Sequence, residues 1–212
     1  MKLKLLSALA LTALVSACGG DKEAAPTNSN QIRIATEGAY APFNYTNTDG
    51  SLGGFDVDIA NALCTKMAAE CTIEAQDWDG IIPALKAGKF DAIVSSMSVT
   101  PERIEQVDFT EPYFANTLVF LAKKDSTFNP ANASEIESAK ITAQGSTISS
   151  QWLSQAHPSV TPQLHGSLEG AFMDLGNGRV DVMISDKLPA LTWLKSDLGK
   201  NFEINGDDID IN

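Results

Sequence analysis

From residue 31 onward, short apolar runs with strand character alternate with stretches of helical spacing, and the series runs through twice. Residues 31–36 (QIRIAT) alternate apolar and polar, as a half-buried strand does. Residues 55–69 carry apolar side chains at helical spacing (Ile59, Leu63, Met67). A short strand is predicted at 72–75, a helix at 81–87, and at 90–95 a strand ending in serines. Thr100-Pro101-Glu102-Arg103 has the form of a helix start, with a Thr cap, Pro at the first position and an acid in the first turn. Residues 116–123 make a long apolar strand. The series then restarts with a strand at 140–143 and a helix from Gly145-Ser146-Thr147 to about 156. A strand at 160–164, a helix at 168–175, a strand at 180–185 and a helix at 186–196 follow. Strands separated by helices are not joined as hairpins. The order therefore predicts an α/β fold with largely parallel sheets, in two units with a strand-like joint near 117–123.

The two units share a local echo. GKFDAIVSS (88–96) and GRVDVMISD (178–186) follow one plan, Gly, a basic residue, one variable position, Asp and an apolar run. Each ends a predicted buried strand with small polar or acidic residues. Ligands of α/β sheets bind at the carboxyl ends of strands, so one such end per unit points to a cleft between them.

Composition bounds what that cleft serves. The chain has 212 residues, 43% hydrophobic and 20% charged, enough for one large domain or two small lobes. This excludes a fibre, disorder along most of the length and a multi-pass membrane protein. A net charge of −12 argues against generic nucleic-acid or anionic-lipid binding, which rests on basic patches. Two His and three Cys leave few ligands for a zinc centre, and neither a metal nor a cofactor is expected. A cationic small ligand is compatible with the acidic surface.

The amino terminus has the form of an export signal. Lys2 and Lys4 precede an apolar stretch at 5–15 that is too short to span a bilayer, so residues 1–17 are expected to be a cleaved signal peptide. Val15-Ser16-Ala17-Cys18 is similar to a bacterial lipobox, implying cleavage before Cys18 and lipidation of its thiol; ordinary cleavage after Ala17 is the alternative. Residues 18–30, small and polar, are expected to be a flexible tether. Export places Cys64 and Cys71 in an oxidising compartment, where two thiols so spaced pair, the alternative being two buried free thiols.

At this point the residues carry a resemblance. RIATEGAYAPFNY (33–45), GFDVDIANALC (54–64), WDGIIPALKAGKFDAIVSSMSVTPER (78–103), VDFTEPY (107–113) and GNGRVDVMISD (176–186) resemble the periplasmic amino-acid-binding proteins of ABC importers, solute-binding family 3. The branch they most resemble takes lysine, arginine, ornithine, histidine and opines. The resemblance spans about residues 31–205. It implies the two-lobe type II periplasmic-binding-protein fold, each lobe a mostly parallel sheet flanked by helices, hinged by crossing strands. Lobe one would be 31–116, the hinge strand 117–123 and lobe two 124–205.

It also implies roles, each with a physical reason. A free amino acid is a zwitterion, and an Arg fork fits its carboxylate in a bidentate manner; by similarity Arg103 is that clamp, whereas alone it would pair with Glu102 or Glu105. Asp186 matches the ammonium-binding acid, though alone it would be a helix N-cap. Ser95, Ser96 and Ser98 sit at a strand exit, where their hydroxyls can serve either end of the zwitterion; in isolation they are turn residues. Ser146 and Thr147 open a second-lobe helix whose free N–H groups can take a carboxylate. Tyr40 and Trp78 match positions that sandwich an aliphatic stem, and a ring face favours a guanidinium; ordinary core is the alternative for both. Glu37 matches an acid that faces a distal positive charge, and alone it would be a solvated strand-end charge.

Two departures qualify the resemblance. Ile148 follows Thr147 where some relatives carry a polar residue. The chain ends at 206–212 (GDDIDIN), where the family continues for a few tens of residues, so 206–212 is expected to begin a truncated return crossing. The expected protein is a non-enzymatic, monomeric, lipid-tethered periplasmic protein that delivers an amino acid, expected to be cationic, to an ABC permease. The alternatives are an exported cyclohexadienyl- or arogenate-dehydratase-like enzyme on the same scaffold, and a sensing module for a membrane receptor.

Overall fold

The computed structural model describes residues 30–211, and the expected signal peptide, most of the tether and Cys18 lie outside them. The structure is a mixed α/β fold of two lobes. The first sheet has the order β5-β1-β6, all parallel, with β1 Gln31–Thr36, β5 Glu70–Ala75 and β6 Ala92–Ile93. A small antiparallel sheet of β2 (Ala39–Tyr40), β3 (Asn44–Thr46) and β4 (Leu52–Gly53) follows β1. Helices α1 (Phe55–Met67) and α2 (Trp78–Lys86) pack on opposite faces of the first sheet, over separate clusters around Ile34, Ala60 and Val94 and around Ala35, Ile81 and Phe90. A short α3 (Pro101–Ile104) follows β6.

The second sheet has five strands in the order β11-β7-β10-β8-β9. They are β7 Thr117–Lys123, β8 Ile141–Gln144, β9 Gln163–His165, β10 Val182–Asp186 and β11 Phe202–Asp210. Helices α4 (Ala133–Ser138), α5 (Ile148–Ala156), α6 (Leu168–Gly176) and α7 (Lys187–Trp193) surround it. Residues 117–123, predicted as the joint, lie inside this sheet between β11 and β10, antiparallel to both. Val119 and Leu121 point into one buried cluster, and Leu118, Phe120 and Ala122 into the other. That alternation at period two is how a strand covered on both faces reads as a continuous apolar run. β11 follows β7 as far as Asp210 opposite Thr117, with a register shift between Asn205 and Ile209. Residues 206–210, expected to start a return crossing, are thus paired in the sheet, and Gly206 takes the positive φ of 77° that the irregularity needs.

Local chemistry sets the element ends that matter for the cleft. Gly54 precedes α1 at φ 113°, and a Cβ there would meet the Phe43 carbonyl oxygen at 2.4 Å. Only glycine lets the chain turn from β4 into the helix at that approach. Thr100 caps α3 by accepting from the Arg103 N–H. Thr147 and Ser150 form a reciprocal capping box on α5. Cys64, late in α1, is bridged to Cys71 in β5. Tyr40 and Phe43, stacked at 5.4 Å, belong to the cluster of Val119, Leu121 and Phe172, so the small sheet is wedged against the second lobe.

Candidate functional site

Four strands of the two larger sheets end at one cleft. β1 delivers Glu37, β6 the Ser95–Ser98 turn, β8 Gln144 and the loop into α5, and β10 Asp186. The space between the walls is about 320 Å³ with its open side counted. Arg103, one turn into α3, is buried at 5% exposure, its Nη1 donating to the Ser98 carbonyl (2.8 Å) and its Nη2 to the Ser146 carbonyl of the other lobe (3.0 Å). Trp78, at the start of α2, lies over that guanidinium at 5.2 Å and donates Nε1–H to the same Ser146 carbonyl at 3.0 Å.

Two buried carboxylates, Asp186 and Glu37, line the same cleft. Asp186 is buried at the N-cap position of α7 without making a cap bond. Its carboxylate accepts instead from Asn116 and bonds the Tyr40 hydroxyl. Burial pushes its pKa up, against the two bonds and the charge of Arg103. The same burial raises the Tyr40 hydroxyl well above its ordinary value. Glu37 is also buried, and its Oε1 accepts from Gln144 Nε2 across the cleft at 2.6 Å. Burial raises Glu37 to about 7; the Gln144 bond opposes the shift, while Asp186, Asp77 and Asp79 add to it. Arg103 is lowered by burial, with Asp186 and Glu102 holding it up. One guanidinium and two carboxylates therefore share a confined space, an arrangement complementary to a molecule carrying one negative and two positive ends.

Residues 32–156 match the family model of bacterial extracellular solute-binding proteins, family 3. The chain belongs to this family. The L-arginine-binding protein of Pseudomonas aeruginosa is 38% identical over 208 residues, covering 97% of this chain and 77% of the relative. Among solved structures, an ancestral arginine-binding protein bound to arginine superposes with a TM-score of 0.80 at 30% identity, over 86% of this chain and 81% of that one. An ancestral amino-acid-binding protein described as a precursor of cyclohexadienyl dehydratase gives 0.76 at 31%, over 84% and 77%.

In this solute-binding protein, nine of the ten side chains singled out in the sequence line the cleft: Glu37, Tyr40, Trp78, Ser95, Ser96, Ser98, Arg103, Thr147 and Asp186. Ser146 does not; its side chain is exposed, and its carbonyl takes the two bonds from Arg103 and Trp78. Ile148 lines the cleft beside Thr147. Sequence reasoning missed Gln144, although the strand-end rule that found Ser95 and Asp186 applies equally to the last residue of β8. It also missed Asn116, whose bond to Asp186 joins residues seventy positions apart and has no local signal. Among the described residues no group of three His, Cys, Asp or Glu side chains could hold a metal ion, and no helix is long and apolar enough to cross a membrane.

Proposed function

We propose that this solute-binding protein captures a free L-amino acid with a cationic side chain, such as arginine, lysine, ornithine or histidine, and delivers it to the permease of an ABC importer. The observation that carries this reading is the convergence of Arg103 from one lobe, Asp186 from the other and Glu37 beside them in one buried cleft. Arg103 clamps the ligand carboxylate, aided by the free N–H groups of α5 behind Thr147. Asp186 takes the α-ammonium and Glu37 the distal charge. Tyr40 and Trp78 hold the stem, and Ser95, Ser96 and Ser98 supply hydroxyls to the zwitterion. Residues 31–116 and 124–205 act as the two lobes, and binding shifts an open–closed equilibrium about the joint where the chain enters residues 117–123. The protein works as a monomer on a Cys18 lipid anchor outside the cytoplasm, without covalent chemistry.

Titration calorimetry with the four amino acids tests this. Arg103→Ala and Asp186→Ala are each expected to weaken binding by tens-fold or more, at about 1.5–3 kcal/mol per charged hydrogen bond. Affinity unchanged in both would reject the reading. A second reading is favoured by one feature: Glu37 near 7 stands in the range of a general acid or base, and one structural relative is a dehydratase precursor. A dehydratase would turn over prephenate or arogenate, detectable by mass spectrometry; turnover lost in Glu37→Gln would establish it.

A further inference from the structure

Behind the cleft lies a buried carboxylate to which the proposed function assigns no role. Asp56, second residue of α1, has no solvent exposure. Its Oδ2 accepts from Asn44 Nδ2 (2.7 Å), and its Oδ1 accepts from both Ser96 Oγ and Tyr113 OH (2.8 Å each). The Tyr113 oxygen in turn accepts from the Ser96 N–H at 2.9 Å. Ser96 sits at φ 47°, an uncommon conformation for a residue with a Cβ, tied at its backbone and hydroxyl to this cluster. Neither Lys nor Arg forms an ion pair with Asp56 among the described residues.

The Asp56 oxygens accept all three of these bonds, so Ser96 commits its single hydrogen inward and leaves lone pairs for the cleft. Ser95 is set the opposite way. Its Oγ accepts from the Glu37 N–H (2.9 Å) and from Asn44 Nδ2 (3.4 Å), which leaves its own hydrogen to donate. We propose that Asp56 is a positioning residue that fixes the polarity of this serine pair, so that Ser96 meets the ligand as an acceptor of N–H and Ser95 as a donor. The inference rests on the cleft being the amino-acid site. It makes the turn after β6 selective for where a ligand carries N–H and where it carries oxygen, a property that Ser96 alone, with a freely rotating hydroxyl, would lack.

The test uses Asp56→Asn. Asn44 is pinned by its Oδ1 accepting the Gly38 N–H at 2.7 Å, so its amide N–H keeps facing residue 56. The amide introduced by the substitution must then turn its oxygen to Asn44 and its NH₂ to Ser96, driving the Ser96 hydrogen out into the cleft. Calorimetry with L-arginine as the probe is run on wild type, Asp56→Asn, Ser96→Ala and the double variant, each with a thermal melt. Asp56→Asn and Ser96→Ala are each expected to weaken binding about tenfold, and Asp56→Asn to cost less than about twofold more once Ser96 is alanine. Equal losses in both backgrounds, or unchanged affinity in Asp56→Asn, would overturn the proposal. Should Asp56→Asn fail to fold, Tyr113→Phe decides: with the carboxylate intact, Ser96→Ala must still cost about tenfold. A vanished cost there would assign the serine to Tyr113 and reject Asp56. Wild type that binds none of arginine, lysine, ornithine or histidine would refute the proposed function itself and this inference with it, whereas binding with additive losses refutes only the inference.

Discussion

Glu37, directly after β1, is a buried acid at about 7, so its charge depends on what stands opposite. Its folded pKa lies above the ordinary 4.5, so the folded protein holds a proton that the unfolded chain releases. This contribution to stability is present below about pH 4.5 and fades as pH rises to about 7. Binding follows the reverse sign. A ligand with a distal cation needs Glu37 ionised, so arginine must expel a proton below about pH 7. Its affinity is expected to fall by up to about tenfold per pH unit there and to level off above. Calorimetry from pH 5.5 to 8.5, in buffers of different ionisation enthalpy, reads both the affinity and the proton released; a flat profile with no proton release would contradict the assignment. Gln144→Leu removes the bond that holds the Glu37 pKa down and is expected to move the midpoint upward. Glu37 was legible in sequence because it follows a strand within a recognisable motif. Its raised pKa was not, because it comes chiefly from burial in the assembled cleft, to which the charge of Asp186, 149 positions away, adds.

At the scale of elements, sequence reasoning succeeded where the determinant is local. Thr100-Pro101 marks α3 because the cap and the proline act within one turn, and β1 matches its predicted span, its first residues alternating and Ile34, Ala35 and Thr36 all buried. It failed where pairing decides. The predicted strand at 90–95 shrinks to Ala92–Ile93, since it pairs only with β1, in register with Ile34 and Ala35. Helix α2 starts at Trp78 rather than 81 and accommodates Pro83 inside it. The strands β2, β3 and β4, of two or three residues, are too short for any periodicity to register. The Cys64–Cys71 bridge joins α1 to β5 and closes a loop with a sequence separation of 7. Loop-closure entropy gives it about 2–3 kcal/mol. Reduction, or Cys64→Ser with Cys71→Ser, is expected to lower the urea midpoint accordingly while L-arginine affinity stays within about twofold, because neither cysteine lines the cleft. A loss of binding as large as the loss of stability would mean that the bridge shapes the site.

Across the whole molecule, Trp78, Arg103 and Glu37 of the first lobe reach across the cleft to the second, and two of these contacts end on the Ser146 carbonyl, a backbone atom whose identity no sequence motif encodes. That oxygen accepts from the Trp78 indole and from the guanidinium over which the indole lies. A ligand carboxylate competing for Arg103 must disturb this shared acceptor, so Trp78 is placed to report any change in the approach of the lobes. The other two tryptophans are packed within the second lobe, Trp152 against Phe120 and His157, Trp193 against Phe172 and Phe202. The surroundings of Trp152 stay fixed if the lobes move as rigid bodies, whereas Trp193 packs on the cluster that also holds Tyr40 and Phe43 of the first lobe. Addition of L-arginine is therefore expected to change the intrinsic fluorescence of the wild type, and Trp78→Phe to remove most of that change, while Trp152→Phe retains it. Because Trp78→Phe keeps an aromatic face over Arg103 and loses only the indole donor, calorimetry should still detect binding in that variant, weakened by about tenfold or less. A fluorescence change that survives in Trp78→Phe but disappears in Trp152→Phe would place the moving contact inside the second lobe instead, around α5 and β7, and would remove the interlobe cleft as the site of the response.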